Sequence, residues 1–583
     1  MKPLIIKNEK MLHIWAYIEL IVNALLLCAG ILYYLMPSII ISSKVIDYGY
    51  FISIILSMIL AFDAGRLVNK NTESGNRMNL IYYGYYIFVM FATMISLTGN
   101  FLLSVSYETA FLANIGYYLI IWVGYFGTII FGMVVGYSVI YHADWSGLWK
   151  VNRQNQSWSG VSDSGRRAKS ILIHIVRIMA IIPLIILIFF TIVLFNGKST
   201  YIFGWIGVAV SQFAPYYTIL GLSAMFILIK SINRANRKKL FYGVMIIGFV
   251  TSVLMITPLM LMPSAVKDAE NNFADAFGDD WRESIDTKTE EWFLNDHYSL
   301  AQYYLGIQHN ACIVKPDISY YNGTSGVDKG LELYFDAYMP ENQGIGMPGN
   351  NATIIRIHGG AWAIGDKGLG NVLQMNKYLA AQGYIVFDIQ YGLTNRTAFN
   401  LPFGTPENVV GNFTIDDMLR HIGIFTQYIT ANAGKYGADL SSTFISGGSA
   451  GGQLTCATAL AIANGSYTSI FGSGLTIKGY IPYYPALLIG DIGDFLEGQP
   501  EFLDPRALIE EDSPPCLVFQ GTQDGLVDPE IPQLVKAKYT AENNNACAVL
   551  EMPLGGHGAD IYFSGFYGTT FLYYMERFLY LYR

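Results

Sequence analysis

Thr443-Phe444-Ile445-Ser446-Gly447-Gly448-Ser449-Ala450-Gly451-Gly452 is the stretch that decides how the second half of this 583-residue chain folds. A β-prone run ends in six residues, four of them glycine, and helix-forming residues follow. G-x-S-x-G between a strand and a helix is the pattern of a nucleophile elbow. The turn is sharp, so the positions flanking the serine must lack bulky side chains. It lifts the Ser449 hydroxyl above the sheet edge, at the N-terminus of the following helix. The pattern alone recurs by chance; its place between strand and helix gives it weight.

The surroundings fit that context. Short apolar runs lie at 331–337, 353–357, 384–389, 443–446, 477–483, 516–520 and 546–551. Helix-like stretches intervene at 369–382, 413–435, 450–463 and 530–543, with a last one at 566–582. Strand–helix alternation with near-continuous apolar strands predicts an α/β domain on a mostly parallel sheet, helices on both faces, over 331–583.

A second motif, His358-Gly359-Gly360-Ala361-Trp362, closes the run at 353–357. Glycines there let backbone N–H groups converge on an anionic oxygen. Donors from Gly359, Gly360 and Ala361, with the Ala450 N–H, are the expected oxyanion hole; His358 then shapes the loop. The base follows by elimination. Triads of this kind run Ser, then Asp or Glu, then His, and of eight histidines only His557 lies after Ser449. It sits in the flexible Gly555-Gly556-His557-Gly558 loop after the last strand. The acid belongs on the loop after the preceding strand, which makes Asp524 the first candidate and Asp528 the second.

Together these motifs resemble the hormone-sensitive-lipase-like branch of the α/β-hydrolases, with its acetyl esterases, carboxylesterases and kynurenine-formamidase-like enzymes. The resemblance covers roughly 330–583. It is carried by the 358–362 motif, Gly365-Asp366-Lys367, the strand at 383–391, the elbow, the Gly521-Thr522-Gln523-Asp524 turn and the His557 loop. It implies ester hydrolysis through an acyl-enzyme on Ser449. Two positions depart from the branch: Gly448 replaces the usual Asp or His before the nucleophile, and Gly392 stands where an Arg often follows the strand tyrosine.

The first half belongs to another solvent. The whole chain is 52% hydrophobic and only 14% charged, with mean hydropathy +0.35. That excludes a disordered chain and a nucleic-acid binder. Residues 1–262 carry 19 Lys+Arg and 8 Asp+Glu, net +11, while 263–583 carry net −19. Such asymmetry marks two environments. Stretches of about 20 apolar residues, long enough to cross a bilayer, lie near 12–36, 48–68, 78–104, 111–141, 170–195, 203–230 and 240–262. The first could pass for a signal peptide, but Met36-Pro37-Ser38 is a poor cleavage site, and an uncleaved anchor is expected. Lys and Arg alternate strictly between loops. Sixteen lie in the N-terminus and the loops after spans two, four and six, and only Lys44 and Lys198 lie in the others. Positive charge collects on the cytoplasmic side. The expectation is a bundle of about seven helices over 1–262 with the N-terminus inside, a connector or cap over 263–330, and the hydrolase outside the cell membrane.

Glu19, Asp63, Arg66 and Arg177 fall in or near spans, where ionisable groups tend to pair. They read as a structural ion-pair cluster before an ion path, and His13, His142 and His174 as interfacial or packing residues. Cys516 and Cys547 begin adjacent strands, as a disulfide or as buried thiols. Asn322, Asn351, Asn395, Asn412 and Asn464 head N-x-S/T sequons. The aromatic tail 566–582 reads as a last helix packed on the sheet. No metal-ligand spacing is present, and no metal or cofactor is expected. The expected partners are the lipid bilayer and an ester on an envelope polymer, a lipid or an exogenous small molecule. Acetyl or other short acyl groups are favoured, because 485–515 is short for a lipase lid. Two alternatives stay open: an amidase of formamidase type, and a transporter or sensor whose hydrolase-like domain is inactive.

Overall fold

With no water in a bilayer core, a spanning backbone must satisfy its own hydrogen bonds, and helices do so. The computed structural model describes residues 9–37, 40–67, 73–141, 163–368, 372–395, 404–487 and 496–583. Among them are seven helical segments long and apolar enough to cross a membrane: Met11–Leu35, Ile40–Arg66, Arg77–Ser104, Ile115–Tyr141, Ile173–Ser199, Tyr201–Ser231 and Lys238–Phe277. The chain is a multi-pass membrane protein. Lys2, Lys7, Lys70, His142, Lys150 and Arg153 lie outside the described residues, as do 369–371 and 488–495.

Two segments differ from simple spans. The sixth is broken: helix Tyr201–Gly207 gives way to a 3-10 turn at Ser211–Phe213 before helix Ala214–Ser231. At about 1.5 Å per residue, those last 18 residues alone reach about 27 Å, close to a bilayer core. The seventh runs on. Helix Lys238–Met255 passes almost directly into Thr257–Phe277, whose far end packs on the C-terminal domain. The start of the acidic connector is therefore helical. Inside the bundle, Glu19 has no cationic partner among the described residues: its carboxylate accepts from Asn23 Nδ2 (2.5 Å) and Ser57 Oγ (2.6 Å), in place of the expected ion pair. Arg177 donates to Ser231 O at 2.7 Å.

The second half is built on one eight-stranded sheet: β1 Cys312–Asn322, β2 Glu332–Pro340, β3 Ala352–Ile357, β4 Ile385–Ile389, β5 Asp439–Gly448, β6 Ile477–Tyr483, β7 Cys516–Gly521 and β8 Cys547–Met552. Their order is β1-β2-β4-β3-β5-β6-β7-β8, with β2 antiparallel to both its neighbours and every other pairing parallel. β1 lies within the stretch read as connector. Its Lys315, Asp317 and Asn322 are exposed, and that edge-strand polarity hides it from an apolar-run reading. Cys516 and Cys547 are register partners, and all five cysteines are free thiols.

The aromatic tail is a helix, Phe566–Tyr582, held between the sheet and the seventh membrane segment. Phe571 packs on Tyr483 and Phe519, while Tyr574 and Phe578 pack on Phe273 and Phe277. The buried Arg577 is paired with Glu576 (3.0 Å) and Glu290 (2.9 Å).

The domain sits on one face of the bundle, made by the ends of spans one, three, five and seven. Tyr33 and Tyr34 donate to Gly306 O and Leu305 O. Lys44 pairs with Asp296 at 2.6 Å. Lys377 donates to Ser106 O and Glu108 O in the loop between spans three and four. This is the face whose loops carry only Lys44 and Lys198.

One buried pair also joins the halves. Asp336 on β2 stands opposite Asp388 on β4. Asp336 accepts from Lys367 Nζ (2.9 Å) and from the Tyr107 hydroxyl of the membrane domain (3.0 Å). Asp388 Oδ2 accepts from Gly368 N and Asn376 Nδ2, while Oδ1 has no donor among the described residues. Burial, with the charge of Asp336 beside it, pushes the Asp388 carboxyl up to about 7. Between its ordinary range and that value the folded protein holds a proton that the unfolded chain has released. The contribution of Asp388 to stability is thus complete below about pH 4 and lost as pH rises through about 7. Asp388→Asn keeps both accepted bonds and puts an amide where the undonated oxygen stood. In thermal unfolding of the purified protein, the variant is expected to melt above wild type at about pH 8 and level with it near pH 4. A difference independent of pH would assign the effect to packing.

Candidate active site

The site begins with a backbone constraint. Ser449 adopts φ +57°, ψ −122°, a region that costs a non-glycine residue on the order of 1–3 kcal/mol. β5 enters this turn and helix Ala450–Asn464 leaves it. The Ser449 N–H donates to Tyr483 O of β6 at 2.9 Å. The glycines are there because β3 runs against the turn. A Cβ on Gly447 would meet Ile357 O at 2.4 Å, and one on Gly451 would meet the same oxygen at 2.3 Å.

The three polar residues expected from their order in the chain meet at this turn. His557 Nε2 lies 3.1 Å from Ser449 Oγ, and His557 Nδ1 lies 2.8 Å from Asp524 Oδ2. A proton on Nδ1 satisfies the carboxylate and leaves Nε2 to accept from the hydroxyl. Asp524 is fully buried, and its other oxygen accepts from Leu526 N and Val527 N at 2.9 Å each. Asp528, the second candidate, is exposed and accepts from Glu530 N instead. Ser449 and His557 are half-buried, so the site is open to a ligand.

Gly359, Gly360 and Ala361 lie over the elbow. A Cβ on Gly359 would come within 2.6 Å of Gly448 O and 3.3 Å of Ser449 Cβ. Gly360, Ala361 and Trp362 take φ of +120°, +51° and +58°, which turns the loop back over the serine. None of the N–H groups of residues 359–361 donates elsewhere among the described residues. Ala450 N is at the first position of its helix, where no intrahelical acceptor exists. The Trp362 indole donates to Gln453 Oε1, and Gln453 donates to Phe502 O, which ties this loop to the elbow helix. His358 stacks on Tyr391 and its Nδ1 lies 2.8 Å from Gly359 O; burial holds its imidazole below its usual pKa.

Several contributors left no motif to find. The Tyr484 ring packs 4.5 Å from the His557 ring, and its hydroxyl lies 3.1 Å from where a Gly448 Cβ would be, so the tyrosine takes the space that a larger residue at 448 would need. Its hydroxyl donates to the buried Asp560 at 2.8 Å. At Gly392, a Cβ would meet the His421 ring at 2.7 Å, and the Gly392 N–H donates to His421 Nδ1. The membrane domain contributes too. Ser211 Oγ accepts from Gly556 N beside His557, and Gln212 Oε1 accepts from Tyr562 N. Single polar residues in a hydrophobic half carry no pattern by which sequence could single them out.

Residues 335–470 match the BD-FAE family. The chain is 25% identical to esterase LipC of Mycobacterium tuberculosis over 231 residues, covering 36% of this chain and 53% of that protein. It is 24% identical to esterase LipQ of the same organism over 315 residues, covering 49% and 68%. The chain thus spans about half the length of the first of these relatives and two thirds of the second. Among solved structures, the apo form of Thermogutta terrifontis esterase 2 aligns at 21% identity over 47% of this chain and 92% of that one, with a TM-score of 0.34. With the strand order above and a nucleophile-elbow turn at Ser449, residues 312–583 have the α/β-hydrolase fold, carried on a bundle with seven candidate spans among the described residues.

Proposed function

We propose that the protein is a membrane-bound serine esterase whose catalytic domain faces the extracytoplasmic side. The observation that carries the reading is the unbroken relay from buried Asp524 through His557 to Ser449, on a turn that opens a helix. The esterase names of the relatives support the ester class.

The chemistry follows from these atoms. Ser449 Oγ attacks the ester carbonyl carbon as His557 Nε2 takes its proton. Asp524 stabilises the imidazolium that forms. The carbonyl oxygen becomes an anion, met by N–H groups from Gly359, Gly360 and Ala361 and from Ala450 at the positive end of its helix. Collapse breaks the carbon–oxygen bond, and His557 protonates the leaving alcohol. Water, deprotonated by His557, then attacks the acyl-enzyme and releases the acid and Ser449. None of these steps calls for a metal or cofactor. Acetyl and other short acyl groups are the proposed donors, given the short 485–515 stretch.

The outward orientation rests on charge. The hydrolase occupies the face whose loops hold two cations, and the basic loops lie on the other, which the positive-inside rule assigns to the cytoplasm.

Two measurements test this. With 4-nitrophenyl acetate and solubilised protein, Ser449→Ala is expected to lower kcat on the order of 10⁶-fold. Asp524→Asn, which leaves His557 in the wrong tautomer, should lower it on the order of 10⁴-fold. Hydrolysis undiminished in Ser449→Ala would overturn the serine mechanism. For topology, an impermeant fluorophosphonate should label wild type but not Ser449→Ala on intact cells. Labelling that appears only after lysis would reverse the orientation and leave the chemistry standing.

A further inference from the structure

The catalytic edge of the sheet is pressed against the membrane bundle. The loop that carries Asp524 meets the end of the fifth membrane segment and the start of the sixth: a Cβ on Gly525 would lie 2.2 Å from Gly197 O, and one on Gly204 would lie 2.6 Å from the Gly525 carbonyl carbon. The loop that carries His557 meets the next turn. A Cβ on Gly556 would lie 2.9 Å from Gly207 O, and the Gly556 N–H donates to Ser211 Oγ at 3.3 Å. On the other side of the elbow, Tyr107, between spans three and four, reaches Asp336 and lies against Gly368.

These contacts fix depth as well as position. The apolar run of the fifth segment ends at Phe195, and Asn196, Gly197 and Lys198 follow it. By hydropathy a span leaves the hydrocarbon where its apolar run ends, which puts the acid loop at that level, with Ser449 one imidazole beyond it. The interfacial zone on each side of a bilayer core is about 5–7 Å thick. Tyr201 and Ile202, on the segment under the acid loop, are 54% and 69% exposed, and Phe111 and Leu112, beside Tyr107, are also exposed. Apolar and aromatic groups of this kind belong at the level of lipid headgroups and upper acyl chains. A domain that took its ester from bulk water would need one anchoring span and a free catalytic edge. Here glycine-on-glycine contacts hold that edge down against the membrane bundle.

We propose that Ser449 acts on esters presented by the bilayer itself: amphiphiles whose tail stays in the hydrocarbon and whose ester carbonyl lies in the interface. The proposal rests on the serine-esterase reading above. The tail partitions and the carbonyl reaches Ser449 without leaving the membrane. Cleavage releases the short acid to water and returns the long-chain alcohol to the lipid.

The test uses the full-length protein in diether phosphatidylcholine vesicles, whose lipids it cannot hydrolyse. Butyl acetate and hexadecyl acetate share the acyl group and the alkoxide type and differ in partitioning. Hexadecyl acetate should be cleaved by wild type and not by Ser449→Ala, at a rate that follows its mole fraction in the bilayer and not its bulk concentration. Its kcat/KM should exceed that for butyl acetate by at least tenfold. Ser449-dependent cleavage of butyl acetate with hexadecyl acetate spared, or cleaved no faster, would overturn the bilayer proposal and leave the esterase reading intact. Cleavage of neither ester, with no fluorophosphonate label on Ser449, would overturn the esterase reading itself.

Discussion

The close crossing of β3 against the Ser449 turn is the constraint on which the domain depends. Ile357 O lies where a Cβ at Gly447 or Gly451 would have to go, so the strand, the turn and the elbow helix approach one another only with glycine at both positions. That contact holds Ser449 at φ +57° and directs its hydroxyl out of the sheet. It also brings the 359–361 loop, which continues from β3, over the serine. Nucleophile and anion-binding loop are thus placed by one packing contact. Its strain is offset by the hydrophobic layers on both sides of the sheet.

A similar device joins the two halves of the chain. A Cβ on Gly204 or Gly525 would collide with backbone across the domain boundary, and one on Gly556 would lie 2.9 Å from Gly207 O. The acid and histidine loops are therefore set by the membrane domain as well as by the sheet. This gives the bundle a part in the site: it fixes the orientation of the catalytic edge. The tail helix Phe566–Tyr582 strengthens the union, with aromatic contacts to both the strands and the seventh membrane segment.

Much of this is legible in the residues because it is local. The elbow, the 358–362 motif and seven apolar segments are each contiguous, and their chemistry follows from spacing. His557 is legible because no other histidine follows Ser449. β1 was hidden because an exposed edge strand alternates polar residues. The break in the sixth segment was hidden because 201–210 is almost wholly apolar and only Ser211 and Gln212 interrupt the run before 214–229. Glu19 reads as half of an ion pair, yet the hydroxyl and amide of Ser57 and Asn23 supply its hydrogen bonds.

By itself, the sequence determined the two solvent regimes, the alternation of strand and helix, and the residues able to form a nucleophile, a base and an acid. Those properties depend on composition and short spacing, which the chain carries wherever it folds. Only the tertiary structure decided that Asp524 and not Asp528 meets His557, that Tyr484 occupies the space beside Gly448, and that the catalytic edge rests on the ends of the membrane helices. Each of these is a contact between segments far apart in the chain. Each depends on which backbones can approach within van der Waals distance, and that distance becomes defined only when the sheet and the bundle are packed together.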